Sequence, residues 1–407
     1  MGDILPFDVL CKIFEVYARF DQPSRPLALE TLLLVCRSWF AAATDNQKLW
    51  CTFDMGIFSK EALAYWTKCV PMRLARCQSD ILLDITINIL HQADVPVHAY
   101  EPLLSQVTGK SGEYARRWRR LILHVDDRED FMQPYNVLFA NFLRFPTPSL
   151  EELDCDSLRG HPVLPDTRSL KMFHVPAFVV ATLPDLSNVT HLRIGTSSSI
   201  RLDIDEVGLA RAVNVKTMRI TSSRPFKLTG TYKRLECLRI DGAFTEDCLR
   251  DFRAPRLRHI GLDVDRGIDY LRLVACNGIA IDALCSAYLS WDLHQFADIR
   301  RPWEYRDGLR HFLAHAVNLQ VLEIDDRDLA AIVLKILADD CEWLYQSHVL
   351  RIIVLGQEIE LGRGEYRLAS MTWLCGRVNI WLHPSNNWDD ILGNVWVHAG
   401  WSDADPK

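Results

Sequence analysis

The 407-residue sequence has no C-x-x-C pair; its twelve cysteines are scattered, and the closest two, Cys69 and Cys77, stand eight residues apart. Zinc-ligand spacing is therefore absent. The cysteine density is also too low for a disulfide scaffold, so reduced thiols and a cytoplasmic or nuclear location are expected. Basic surplus is lacking as well: 46 Lys and Arg face 53 Asp and Glu, a net charge of -7. Holding nucleic acid as a main function requires the opposite balance, because phosphates are neutralised by Lys and Arg. No stretch approaches 18 uninterrupted apolar residues, which predicts no membrane span. The first ten residues carry Asp3 and Pro6 where a secretory leader has a basic stretch and an apolar run. Proline at position 6 also argues against myristoylation of Gly2.

Catalytic signatures are equally scarce. Gly109-Lys110-Ser111 has the tail of a P-loop, but the earlier glycine is replaced by Leu104. His311 and His315 are four apart, yet Phe312 stands where a zincin has Glu, and there is no G-x-S-x-G elbow. The sequence predicts no enzyme, no cofactor and no metal. Arg116-Arg117-Trp118-Arg119-Arg120 is read as a strand with arginines around a packed Trp rather than a nucleic-acid patch.

Apolar residues in helical register are plentiful. From Phe7 to Phe20 the polar positions Asp8, Lys12, Glu15 and Arg19 trace one narrow stripe, and Phe7, Val9, Leu10, Ile13, Phe14, Val16, Tyr17 and Phe20 cover the remaining circumference. Such a helix needs partners on two sides. Pro23 and Pro26 interrupt it; Leu29, Leu32 and Val35 mark a second short stripe, and Trp39, Phe40, Leu49 and Trp50 belong to a third element. Leu5-Pro6, Val9-Leu10, Ile13-Phe14, Leu29, Leu32, Val35-Cys36-Arg37-Ser38-Trp39 and Leu49-Trp50, in that order, resemble the F-box, across about an eighth of the chain. The connection from Phe20 to Leu27 is longer than the usual pattern. The resemblance implies binding to the Skp-type adaptor of a cullin-RING (SCF) ubiquitin ligase through Leu5, Pro6, Val9, Leu10, Ile13, Phe14, Leu32, Val35, Trp39, Leu49 and Trp50.

Downstream, an L-x-x-L-x-L spacing recurs: Trp118/Leu121/Leu123, Leu150/Leu153/Cys155, Leu170/Phe173/Val175, Val189/Leu192/Ile194, Val215/Met218/Ile220, Leu235/Leu238/Ile240, Leu257/Ile260/Leu262, Leu319/Leu322/Ile324 and Leu350/Ile353/Leu355. From Leu150 to Leu257 the steps are 20, 19, 26, 20 and 22 residues. These lie within the range of leucine-rich repeats, of about 20 to 29 residues. The 62-residue interval from Leu257 to Leu319 is read as holding a degenerate repeat around Leu284 to Leu289, then a Trp291 to Trp303 loop. The chain thus resembles fungal-type F-box proteins with an irregular leucine-rich-repeat domain. The expected class is α/β, a three-helix F-box followed by a solenoid with a parallel sheet. The expected divisions are an F-box at 1–55, a helical and strand linker at 56–117 with a helical stretch at Ser59 to Val70 and a strand at Ile81 to Ile87, and a repeat domain at 118–407 capped by the stretch carrying Trp373, Trp381, Trp388, Trp396 and Trp401.

If the strands stack in this register, the outward residue of successive repeats reads Asp154, His174, Arg193, Arg219, Arg239, Gly261. Three arginines on adjacent strands, about 4.8 Å apart, would repel one another and suit an anionic ligand such as a phosphorylated degron. The alternative is pairing with neighbours such as Asp241 or Asp263. His174, Arg193, Arg219, Arg239 and Asp241 are the candidate target-binding residues. The function expected from the resemblance is a substrate receptor that binds a protein target and makes or breaks no bond. A non-ligase interaction scaffold of the same architecture is the second reading.

Overall fold

The computed structural model describes residues 5–19, 28–90, 95–126, 132–155, 164–175, 184–195, 209–222, 226–242, 249, 251–264, 279–291, 302–324, 329, 333, 336, 351–355 and 379–383. Trp373, Trp388, Trp396, Trp401 and most of the expected Trp291 to Trp303 loop lie outside these residues. The chain divides into two compact units, Met1–Asp185 and Leu186–Lys407.

The first unit opens with α1 (Phe7–Arg19), α2 (Ala28–Val35), α3 (Arg37–Asp45) and a 3-10 turn at Gln47–Trp50. It continues with β1 (Thr52–Ile57), α4 (Lys60–Leu74), β2 (Leu83–Leu90), α5 (Glu101–Thr108), β3 (Trp118–Asp126), α6 (Met132–Phe142), β4 (Glu152–Cys155) and β5 (Met172–Val175). The five strands pair in chain order, each parallel to the next. Side chains alternate across a strand, so residues in register stack into rows. Phe53, Ile85, Leu121, Leu153 and Phe173 form one buried row, and Met55, Ile87, Leu123 and Cys155 another. The sheet therefore begins at Thr52. The segment 56–117, expected as a helical and strand linker, carries α4, β2 and α5, and β2 pairs with β1 on one side and β3 on the other.

The second unit contains β6 (His191–Ile194), β7 (Thr217–Ser222), β8 (Thr229–Thr231), β9 (Cys237–Gly242), β10 (Asp251–Arg253), β11 (His259–Val264), β12 (Ser286–Trp291), α7 (Pro302–His315), β13 (Val321–Ile324), β14 (Arg351–Leu355) and β15 (Asn379–His383). Its main sheet runs β6-β7-β9-β11-β12-β13-β14-β15, all parallel, and β8 pairs with β10 separately. Leu192, Met218, Leu238, Ile260, Ala287 and Leu322 stack in register with under 3% exposure each, as do Ile194, Ile220, Ile240, Leu262, Leu289 and Ile324. Together with the helices, this is an α/β architecture built on parallel strands.

A local device makes the stacking repeat. Before each strand the backbone N–H of the leading apolar residue, at Leu150, Leu170, Val189, Val215, Leu235, Leu257, Leu284 and Leu319, bonds to the carbonyl three residues earlier at 3.0–3.3 Å. This turn buries the leading side chain under the strand. The next N–H then reaches the preceding unit, as in Lys171 to Glu151, Glu236 to Lys216, Arg258 to Glu236, Cys285 to Arg258 and Gln320 to Cys285. Leu284 and β12 thus occupy the long interval after Leu257. The final copy is corrected by one residue: Ile352 and Val354, not Ile353 and Leu355, align with Leu322 and Ile324. Leu329, Val333 and Ile336 are helical and buried, at the spacing of a single helix face.

Candidate functional site

Two surfaces bring the sequence-derived candidates together, one in each unit. On the helices of the first unit, α1 divides its apolar residues between two faces. Leu10 and Phe14, one turn apart, point inward, and the Phe14 ring meets Trp39 edge-on at 5.0 Å. Val9, Ile13 and Val16, spaced four and three residues apart, point outward. They join Leu5, Phe7, Leu34, Val35 and Phe40 in a set of apolar side chains exposed by 41–83%. An aliphatic or aromatic side chain left in water forgoes about 1.5–3 kcal/mol of burial free energy, so several on one small module mark a contact surface.

The module is anchored from beneath. Trp50 is fully enclosed, its indole N–H donating to the Ala43 carbonyl at 2.7 Å, with the Arg76 guanidinium 4.7 Å from its ring. Asn46 donates to the Cys11 carbonyl at 3.3 Å, tying α3 to α1. The buried Arg73 on α4 grips Glu30 on α2 through two bonds of 2.8 and 2.9 Å, and Tyr65 donates to the same carboxylate. Of the eleven residues singled out for adaptor binding, Leu10, Phe14, Leu32, Leu49 and Trp50 are thus interior. They shape the module and do not reach its surface. Leu5, Pro6, Val9, Ile13 and Val35 are exposed, and Trp39 is half-buried. Sequence reasoning omitted Phe7, Val16, Leu34 and Phe40 from the list, although helical spacing from Val9 and Ile13 reaches Val16 directly.

In the second unit the register brings Arg193, Arg219 and Arg239 onto adjacent strands, followed by Gly261, Tyr288 and Glu323. Arg219 and Arg239 do not stand as free, mutually repelling cations. The Nε of each is 2.7 Å from a different oxygen of Asp241, and Thr221 donates its hydroxyl to that carboxylate at 3.2 Å. Burial pushes the Asp241 carboxyl up, and the guanidinium groups of Arg239 and Arg219 outweigh this and hold it below its ordinary value. One carboxylate thereby offsets one of two charges, which is the expected pairing with Asp241 rather than an uncompensated ladder. Arg239 then leans over Gly261, where a Cβ would lie 3.1 Å from its Cγ, and its guanidinium lies 4.8 Å from the Tyr288 ring.

Further along this row, which continues to Ile353 and Trp381, Glu323 is 4% exposed and its Oε2 is enclosed without a hydrogen-bond partner. Burial raises its carboxyl to about 7, against a smaller opposing pull from Arg239. Tyr288 and Glu323 were missed because the outward series was followed only to Gly261; the same position of A-Y-L and L-E-I continues it. In the first unit Asp154 and His174 pair in register, with the His174 Nδ1 2.6 Å from the carboxylate and the His124 Nε2 3.7 Å from it.

The rejected motifs have structural roles. Gly109, at φ 83°, ends α5. The N–H groups of Lys110 and Ser111 that would cradle a phosphate bond to the Glu113 carboxylate at 3.2 and 2.9 Å. Arg117 donates to the Ile81 carbonyl, Arg119 pairs with Asp84, and Arg120 with Glu152 at 3.1 Å, around the buried Trp118. His315 Nδ1 donates to the His311 carbonyl at 2.8 Å. Among the described residues no group of three His, Cys, Asp or Glu side chains is placed to hold a metal ion, and no helix is long and apolar enough to cross a membrane. No family model matches the chain, and no curated protein matches its sequence.

Proposed function

We propose that the chain is a substrate receptor of an SCF-type ubiquitin ligase, its N-terminal helices an F-box that docks on a Skp-type adaptor and its parallel-strand units an irregular leucine-rich-repeat domain that carries a protein target. The observation that carries this reading is the division of α1 into an inward face at Leu10 and Phe14 and an outward apolar face at Val9, Ile13 and Val16. A helix serving only as an N-terminal cap needs the first face and gains nothing from the second. The recurring turn and strand units supply the support for the repeat assignment. Function then rests on proximity: the receptor raises the effective concentration of target near a charged ubiquitin-conjugating enzyme and contributes no acid or base. His174, Arg193, Arg219, Arg239 and Asp241 remain the proposed target contacts, on strands whose outward residues are mainly polar.

The test is co-expression with a Skp-type adaptor followed by affinity capture. Val9→Glu with Ile13→Glu removes two burials of about 1.5–3 kcal/mol each and is expected to weaken capture at least 100-fold. Leu238→Met in the second unit is expected to leave capture unchanged. If the double variant, still folded by circular dichroism, retains the adaptor, the F-box reading is lost. Recovery of the cullin subunit in the same capture separates ligase from non-ligase scaffold.

A further inference from the structure

We propose that Cys51 and Cys77 form a redox-reactive dithiol, a modification site at which hydrogen peroxide closes an intramolecular disulfide. Cys51 directly precedes β1, and Cys77 sits in the turn after α4, where its N–H bonds to the Arg73 and Leu74 carbonyls. Folding has brought the two sulfurs to 3.9 Å, across 26 residues of chain. Each thiol is seated against a carbonyl oxygen, Cys77 at 2.7 Å from Trp50 and Cys51 at 2.9 Å from Gln47. A disulfide has its sulfurs about 2.0 Å apart, so closure needs an approach of roughly 2 Å. The residues are 6% and 9% exposed, which places the pair at the edge of the interior.

The surroundings assign different tasks to the two thiols. The hydrogen bond from Cys77, helped by the Arg117 and Arg119 guanidinium groups, brings the Cys51 thiol below its ordinary value. The hydrogen bond to Cys51 and burial push Cys77 up. Cys51 is therefore the thiol that ionises more readily, to the form that attacks, and Cys77 is the one that keeps its proton. In the first step the Cys51 thiolate bonds to one oxygen of peroxide, the O–O bond breaks, and hydroxide leaves, giving a sulfenic acid. In the second the Cys77 sulfur attacks the Cys51 sulfur, the S–O bond breaks, and hydroxide departs, the proton of Cys77 completing the water balance. The two thiols lose two electrons and peroxide is reduced to two waters. Cys36 offers the contrast. It is exposed and its sulfur faces the Ser38 hydroxyl at 3.1 Å rather than a thiol.

The experiment treats the folded full-length chain with graded hydrogen peroxide, alkylates the remaining thiols, and maps unreduced digests by mass spectrometry. The expected product is a Cys51–Cys77 linked peptide that dithiothreitol dissolves. In Cys77→Ser a dimedone adduct is expected on Cys51, and in Cys51→Ser the Cys77 thiol stays alkylatable. If either variant fails to fold, the wild-type map still decides. The proposal is overturned if both cysteines remain free thiols at peroxide concentrations that oxidise Cys36, or if Cys51 is joined to any cysteine other than Cys77.

Discussion

At the scale of single residues, Asp241 and Glu323 are two carboxylates near the same cation, Arg239, with opposite shifts. Asp241 is contacted by two guanidinium groups and a hydroxyl, whereas Glu323 has lost water without gaining a hydrogen bond. The pH consequences differ in sign. The Glu323 carboxyl has an ordinary value of 4.5 and titrates near 7 in the folded chain, so between these pH values the native state binds more protons than the unfolded one. Stability therefore falls as pH rises from about 4.5 to 7, by a total of about 3 kcal/mol, and stays lower above that range. Glu323→Gln is expected to raise the urea midpoint clearly at pH 8.5 and little at pH 5; equal shifts at both would show that burial of this group does not govern the difference. Asp241 works the other way: its contribution is complete above its unfolded value of 3.8 and is lost only as pH falls through its lower native value. Asp241→Asn leaves two guanidinium groups without their shared counter-charge and is expected to cost about 3 kcal/mol at pH 7, measured by urea unfolding. A companion Arg219→Met substitution should recover part of that loss. The arginine register was legible in the sequence from the spacing Arg193, Arg219, Arg239. The sharing of one carboxylate was not, because Asp241 lies two residues along the same strand and spacing alone gives no side-chain direction for a long guanidinium.

Among the elements, the strands with an apolar leader were readable because three constraints coincide in a short window: a buried leader, two inward residues and a turn that fixes the entry. Where one constraint weakened, the reading slipped. Ala287 is a small residue on an inward position of β12, and that strand was seen only as degenerate. Around Val349 to Leu355 nearly every residue is apolar, so alternation carries no phase and the register was read one residue late. The β1 strand was missed because Trp50, Phe53 and Met55 have the repeat spacing, but Trp50 had already been assigned to the helices. It serves both, closing the 3-10 turn and leading β1. The junction of α2 with α4 is a further feature that composition could not reveal, since Glu30 and Arg73 are 43 residues apart. Arg73→Met removes the buried cation but leaves Glu30 partly exposed to water. Its expected effect is about 2–3 kcal/mol, less than for a fully buried pair, and it should loosen α2 while the strands hold. Limited proteolysis between α1 and α3 would register this. A stronger junction constraint sits at Gly195, after β6, where φ is 115° and a Cβ would lie 1.8 Å from the Thr221 carbonyl oxygen. Gly195→Ala is expected to lower the melting temperature by several degrees, since the clash is with backbone of the neighbouring strand.

For the whole molecule, the described strands of the main ladder in each unit follow one another in chain order, with only the short β8 and β10 skipped and paired to each other. Parallel strands joined this way make stability close to a sum of local units and nearest-neighbour interfaces, so damage spreads a short distance along the chain. The expected boundary at residue 118 falls within this pairing, since β1, β2 and β3 form one continuous ladder. The exposed apolar helices and the Arg219–Asp241–Arg239 row belong to different compact units. Hydrogen exchange followed by mass spectrometry can read this directly. In the Asp241→Asn chain, amide protection is expected to drop in β7, β9 and β11, whose backbones are held by mutual pairing, and to stay at wild-type levels in β1, β2 and β3. Adaptor capture by that variant should be unaltered, because Val9, Ile13 and Val16 are held by contacts within the first unit, around Phe14, Trp39 and Trp50 and through the Glu30–Arg73 pair. Uniform loss of protection across both sets of strands would mean instead that the chain unfolds as one cooperative body, and then no substitution in the strands could alter target binding without also weakening the helices.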